Sequence, residues 1–382
     1  MQVRVKLGDI CTVVSGSTPK SNVPDYWDGD IIWITPAELT NSSYIIYDSV
    51  RHITQKAVQE TSLRPFPAGT VILSSRAPIG KTAIAGSEMY CNQGFKNLIC
   101  SSRIYNKYLY FFLSCKTDFL NSLGRGATFK EISKSIVEGI EIPLPDVLRQ
   151  RKIADEFEQI QKIEQDYHRQ LSFFDQLVKS RFVEMFGGIH DSALYPYMTV
   201  DSFTKVTSGG TPDRNTPSYW ENGKIRWVKT TELQNCVICD TEEKITDAGV
   251  ENSSAKMVPA NTILIAMYGQ GKTRGMTGYL AVECTTNQAC ACILPSEGIN
   301  QKYLWQYMML SYDKLRGMAK GGNQPNLNAG IIKNFPVLVP PLELQNRFAA
   351  FVTEVDKSKL AVTQSLEKLE TLKKSLMQQY FG

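Results

Sequence analysis

The chain has 382 residues, 42% of them hydrophobic, with 42 Lys and Arg against 38 Asp and Glu and nine cysteines. Two globular domains with full cores fit that length, and a formal charge of +4 excludes a polycation that binds nucleic acid by charge alone. An apolar amino-terminal stretch and a membrane-spanning run are both absent, and the odd number of cysteines sits mostly in apolar surroundings such as "ACACIL". The expectation is a cytoplasmic chain with no membrane partner.

In chain order, the first copy of a long repeat opens on "SGSTPKSNVPDYW" (15–27) and "IIWITPAELTN" (31–41). Short β-like runs follow, including "PAGTVIL" (67–73), then a helical stretch over 106–113 and a proline-marked strand "IEIPLP" (140–145). From Gln150 to Phe186 there is no Gly or Pro. Positions 153, 157, 160, 164, 167, 171, 174, 178, 181 and 185 alternate by four and three, with eight of the ten apolar. Ile153, Phe157, Ile160, Leu171 and Phe174 therefore form a coiled-coil seam on a predicted helix.

About 195 residues later everything returns: "SGGTPDRNTPSYW" (208–220), "IRWVKTTELQN" (225–235), "PANTILI" (259–265), a helical stretch over 301–310 and "PVLVPP" (336–341). The seam returns without a gap as Phe348, Val352, Val355, Leu366 and Leu369, again eight of ten apolar. The period is too long for a solenoid or propeller. The predicted fold is mixed α/β (α+β) in two copies related by a pseudo-two-fold, with two long antiparallel coiled-coil helices. The domains run 1–146 and 188–341, and the helices 147–187 and 342–382. Each helix is about 60 Å long, with Glu164, Lys359 and Lys373 as polar register-setting seam positions. The other packing is two helices lying each on its own domain. Charge stays balanced by region: 15 basic against 13 acidic residues in 1–146, and 14 against 13 in 188–341. Any basic surface is therefore local.

Domain, long helix, domain, long helix, with a "P-L-x-x-Q" hinge at Pro341, Leu342 and Gln345, the "SGxTP…YW" openings and the "IGK" loop (79–81), resembles the specificity subunit of type I restriction-modification systems. The first hinge, "PDVLRQ" (145–150), carries one residue more. The resemblance covers essentially the whole chain. It implies a subunit without catalysis of its own, whose two target recognition domains each read one half of a bipartite, asymmetric double-stranded DNA site. The helices then set the spacer and dock two methyltransferase subunits that use S-adenosylmethionine, and restriction subunits driven by ATP join that core. No cofactor is implied in this chain. A protein-interaction scaffold without DNA readout, and a self-contained nuclease or nucleotide hydrolase, are the alternatives.

Candidate DNA contacts lie in the loops where the copies diverge. "SSRAPIGKT" (74–82) and "AMYGQGKT" (266–273) each follow a strand, and offer Arg76, Lys81, Tyr268, Lys272 and, just beyond, Arg274. "LGRGATFK" (123–130) and "AKGGNQPNLN" (319–328) offer Arg125, Thr128, Lys130, Lys320, Asn323 and Gln324. Glycine permits close backbone approach, arginine suits guanine, and Asn or Gln suits adenine. Lys20 and Arg214 stand beside the openings, where Thr18-Pro19 and Thr211-Pro212 favour structural turns. Gly271-Lys272-Thr273 imitates a phosphate loop, but "RGMTGYLAV" follows it where a helix is required. Asp213 with Glu242, Glu243 and Lys244 imitates a nuclease spacing, and Cys236, Cys239, Cys290 and Cys292 imitate a zinc set, yet the other copy matches neither pattern. No metal site is expected.

Overall fold

The computed structural model describes residues 3–61, 63–76, 78–126, 130–269, 271–320 and 325–382. The chain divides into two compact units, Met1–His168 with Thr363–Gly382, and Arg169–Val362.

In the first unit, β1 (Cys11–Val14), β2 (Ile45–Ile46), β3 (Val71–Leu73), β4 (Thr82–Ala85) and β5 (Asn97–Cys100) form one sheet in the order β1-β5-β3-β4-β2. Only the β2–β4 edge is parallel; the other ladders are antiparallel. β3 and β4 are buried at every position, without alternation, because both faces are covered. Helix α1 (Asn106–Ser114) lies against β4 and buries Tyr108 through Leu113 without a break, so it is a core element and not an amphipathic surface helix. A three-stranded sheet sets Trp27–Ile34 between His52–Ile53 and Tyr90–Cys91. The domain closes by pairing Arg4–Lys6 with Glu141–Pro143, directly before α2 (Val147–Phe186).

The second unit repeats this plan. β6 (Val206–Ser208), β7 (Cys236–Ile238), β8 (Ile263–Ala266), β9 (Thr277–Leu280) and β10 (Cys290–Ile293) run in the order β6-β10-β8-β9-β7. α3 (Gln301–Leu310) takes the place of α1 and packs on β9. Tyr197–Thr199 pairs with Pro336–Leu338, directly before α4 (Leu342–Phe381). Each unit holds an edge-on tryptophan pair with ring centroids 5.1 Å apart, Trp27 with Trp33 and Trp220 with Trp227. Both long helices have 40 residues, and no helix among the described residues is long and apolar enough to cross a membrane.

Segments of α2 and α4 pair in each unit. In the first, Glu164 meets Lys373 at 2.8 Å, Tyr380 donates to Glu156 at 2.8 Å, and Phe157 stacks on Phe381 at 5.7 Å. In the second, Asp175 meets Lys359 at 2.6 Å and Phe182 packs edge-on against Phe348 at 5.5 Å. One number falls as the other rises, so the paired helix segments are antiparallel. Ile153, Phe157, Ile160, Phe348, Val352 and Val355 are buried, whereas Leu171, Phe174, Leu366 and Leu369 are half-buried. The buried seam residues belong to the same apolar clusters as α1 and α3. The two packings that the sequence left open therefore coexist: the helices pair with each other and rest on a domain.

Glu164 and Lys373 are mostly enclosed, with 18% and 25% of their side chains exposed. Lys373→Glu sets two carboxylates face to face, and Glu164→Lys two ammonium groups. Each change alone is expected to destabilise the first unit by about 1 kcal/mol, and the double exchange to recover most of the loss. Chaotrope unfolding of the four variants measures the coupling.

Candidate nucleic-acid interface

In the first unit β3 delivers the chain into the loop 74–81, which is tied on both sides. The Ser75 amide donates to the Gly94 carbonyl at 2.7 Å, and the Ser75 carbonyl accepts from Ile132 at 3.0 Å. Arg125 and Glu131 exchange both backbone hydrogen bonds at 3.0 Å, forming an antiparallel pair beside the loop. Gly80 turns the loop back with φ +91°, and Asn121 donates to the Ile79 carbonyl just before it at 3.2 Å. Three charges meet where the loop and this pair touch. Arg76 Nε donates to Glu131 Oε2 at 2.9 Å, and the buried Lys96 Nζ reaches Glu131 Oε1 at 3.2 Å. Burial works against the ionised Glu131 carboxyl, but the hydrogen bonds from Arg76 and Lys96 outweigh it and hold its pKa below the usual range. Arg125 and Lys130 are exposed beside this group, with no side-chain partner among the described residues.

The second unit builds the same junction from other residues. Met267 donates to the Ala289 carbonyl at 2.8 Å and accepts from Leu327 at 3.0 Å; Lys320 and Asn326 exchange backbone bonds at 3.0 and 2.9 Å. Gly275 has φ +87°, and the carbonyl before it, that of Arg274, accepts from Arg316 at 2.7 Å. Arg316 also donates to the Gly271 carbonyl at 2.9 Å, and Tyr312 to the Lys272 carbonyl at 2.6 Å. Tyr268, Lys272 and Lys320 are exposed.

Residues 2–172 and 195–373 match the family described as the type I restriction modification DNA specificity domain. The chain belongs to that family. It is 30% identical to the type I restriction enzyme MjaIX specificity subunit of Methanocaldococcus jannaschii, over 91% of this chain and 85% of that protein. The Escherichia coli EcoR124I/EcoR124II specificity subunit is 27% identical over 48% of this chain and 46% of its own length. Among solved structures, the S subunit of a type I restriction-modification system from M. genitalium superposes with a TM-score of 0.60 at 13% identity, covering 100% of this chain and 96% of that one. A chain from work on complex assembly and conformational transition of the type I R-M system gives 0.64 at 16% identity, covering 99% and 97%. These likenesses at low identity support the fold. Family membership makes the chain a DNA-recognition component and not a catalytic one.

Within that family setting, the loop residues sort into two groups. Arg76, Arg125, Lys130, Tyr268, Lys272 and Lys320 gather at the two junctions with exposed side chains. Lys20 is exposed too, but it sits in the opening turn, where its carbonyl accepts from Trp27 Nε1 at 3.3 Å. Thr128, Asn323 and Gln324 lie outside the described residues. Two side chains turn inward instead of outward: Lys81 donates to the Leu39 carbonyl and Arg274 to the Pro325 carbonyl. Arg214 stays 50% exposed but is tied down, paired with Glu243 and lying 3.8 Å over the Trp220 ring.

The shared "GKT" letters misalign the loops. Gly80 corresponds to Gly275, so Lys81 corresponds to Met276, and Lys272 stands in extra residues peculiar to the second copy. After Lys272 the chain enters strand β9, which offers no helix terminus to cradle phosphate. Asp213 accepts from the Asn215 amide in its own turn at 2.9 Å, while Glu242 and Glu243 pair with Lys229 at 2.8 and 2.9 Å. Glu242 and Glu243 thus face cations, while Asp213 is spent on its own turn. Cys290 and Cys292 are buried in β10, where burial pushes the Cys292 thiol up to about 11, whereas Cys236 and Cys239 are exposed. Among the described residues no three metal-ligating side chains come together.

Sequence reasoning missed Lys96, Glu131, Asn121 and Arg316. Asn121 and Arg316 are 195 apart and donate to equivalent carbonyls, Ile79 and Arg274, so the repeat offset itself carried the signal. Arg51, 3.7 Å over the Trp27 ring, was missed as well; its counterpart Arg214 comes from a different point in the repeat.

Proposed function

We propose that the chain gives a type I restriction-modification enzyme its DNA sequence specificity, each unit reading one half of a bipartite, asymmetric double-stranded site. The observation that carries this reading is a conserved frame with exchanged chemistry. The backbone ties at Ser75 and Met267, the antiparallel pairs Arg125–Glu131 and Lys320–Asn326, and the positive-φ glycines Gly80 and Gly275 coincide. The side chains on that frame differ, as two different half-sites require.

In this reading α2 and α4 set the spacer and dock two methyltransferase subunits. Leu177 and Leu372, 195 residues apart, are 45% and 50% exposed at the same point of the two helices, which suits equivalent docking of identical partners. Those subunits would hold S-adenosylmethionine, and restriction subunits would supply ATP-driven cleavage, in the cytoplasm. Co-expression with the cognate methyltransferase subunit, followed by genome-wide mapping of N6-methyladenine, is expected to return a single bipartite motif with a fixed spacer. Methylation that persists unchanged when this chain is deleted rejects the reading.

A further inference from the structure

We propose that Arg76 reads a guanine in the half-site of the first unit, with Glu131 as its positioning residue. The inference rests on the DNA-specificity reading above and assigns one base within it.

Glu131 holds the Arg76 guanidinium at Nε alone, 2.9 Å away. Neither terminal nitrogen meets an acceptor among the described residues, and 45% of the side chain is exposed. A guanidinium gripped at Nε presents its two terminal N–H groups as a fork, the geometry that matches guanine O6 and N7 in the major groove. Lys96, buried and 3.2 Å from the other carboxylate oxygen, cancels the charge of Glu131. The group therefore carries one net positive charge, and it faces outward on Arg76. Glu131 is itself fixed by its backbone pairing with Arg125 and by the Ile132–Ser75 tie, and it fixes the fork in turn. That ordering removes much of the entropy that a free arginine loses on binding.

Comparison of the units separates base reading from phosphate binding. The backbone bonds align Arg76 with Tyr268, Lys96 with Ala291 and Glu131 with Asn326. All three members change together, while the hydrogen-bonded frame around them is kept. Every half-site has phosphates, so a phosphate contact would be retained in both copies. A base contact must differ wherever the half-sites differ.

The test uses the chain assembled with its methyltransferase subunits and a DNA library randomised at each half-site position. Arg76→Ala and Arg76→Lys are each expected to relax one G·C position of one half-site by about 5-fold to 150-fold, leaving the other half-site intact. Arg76→Lys keeps the charge, so overall affinity falls less than discrimination does. Glu131→Gln is expected to relax the same position and no other, a pattern that mere loss of folding does not give. The unchanged second half-site reports that the complex is assembled. Relaxation at an A·T position, a uniform loss of affinity over all sequences, or discrimination within twofold of wild type overturns the assignment. If the wild-type complex shows no bipartite preference at all, the underlying function fails, and not merely this contact.

Discussion

Replacing Phe381 with alanine is expected to destabilise the first unit by about 3–5 kcal/mol. The ring is fully buried, stacked on Phe157 at 5.7 Å and edge-on to Tyr108 at 5.2 Å and Phe112 at 5.7 Å. Those partners come from α2 and α1, so one ring closes the joint between helix pair and domain. Its counterpart 195 residues earlier, Phe186, is equally buried and meets Phe348 at 5.6 Å and Tyr303 at 5.4 Å in the second unit. Phe381→Ala should therefore lower hydrogen-exchange protection in β3 and α1 while leaving β8 and α3 unchanged. Phe186→Ala should do the reverse. Equal loss in both units under either substitution contradicts this assignment.

The helices and the repeat were readable because both are periodic. Seam residues recur at four and three, and a match at offset 195 holds from Ile153/Phe348 to Met185/Tyr380. Periodicity says nothing of where an isolated side chain points, and the loops show it. "GKT" looks alike in both copies, yet a hydrogen-bond frame and not letter identity sets the correspondence, placing Lys81 inward and Lys272 outward. Arg214 reads as a free cation, but two tryptophan faces and Glu243 are within its reach, and stacking with a charge-assisted bond holds it there. Glu131 was invisible because its value depends on Lys96, 35 residues away in sequence, being buried beside it. The hinge was misread by one residue. Pro145 corresponds to Pro340, not Pro341, so Gln150 and Gln345 stand at the same position with no extra residue between.

Gln150→Leu is expected to cost about 3 kcal/mol or more, because no apolar side chain can answer the groups it leaves behind. Gln150 is fully buried, and its amide meets three backbone groups. Oε1 accepts from the Tyr105 amide at 2.7 Å, and Nε2 donates to the carbonyls of Arg103 at 3.0 Å and Pro145 at 2.8 Å. Tyr105 precedes the first turn of α1 and has no side-chain cap of its own, so Gln150 supplies that cap from α2. Gln345 does likewise for Asn300, accepting from its amide at 2.8 Å and donating to the Pro340 carbonyl at 2.8 Å. With two partners in place of three, Gln345→Leu should cost less, about 2 kcal/mol. Gln150→Glu sharpens the test, since a carboxylate there would face two carbonyl oxygens. Its proton is then favoured in the folded state, raising the folded pKa above the unfolded one. The variant's deficit should be smallest below the unfolded pKa of about 4.3 and grow as pH rises through the folded value. Thermal unfolding of the variant between about pH 4 and pH 8 measures it, with Gln150→Leu as the pH-independent reference; parallel curves for the two variants would exclude a carboxyl buried against those carbonyls.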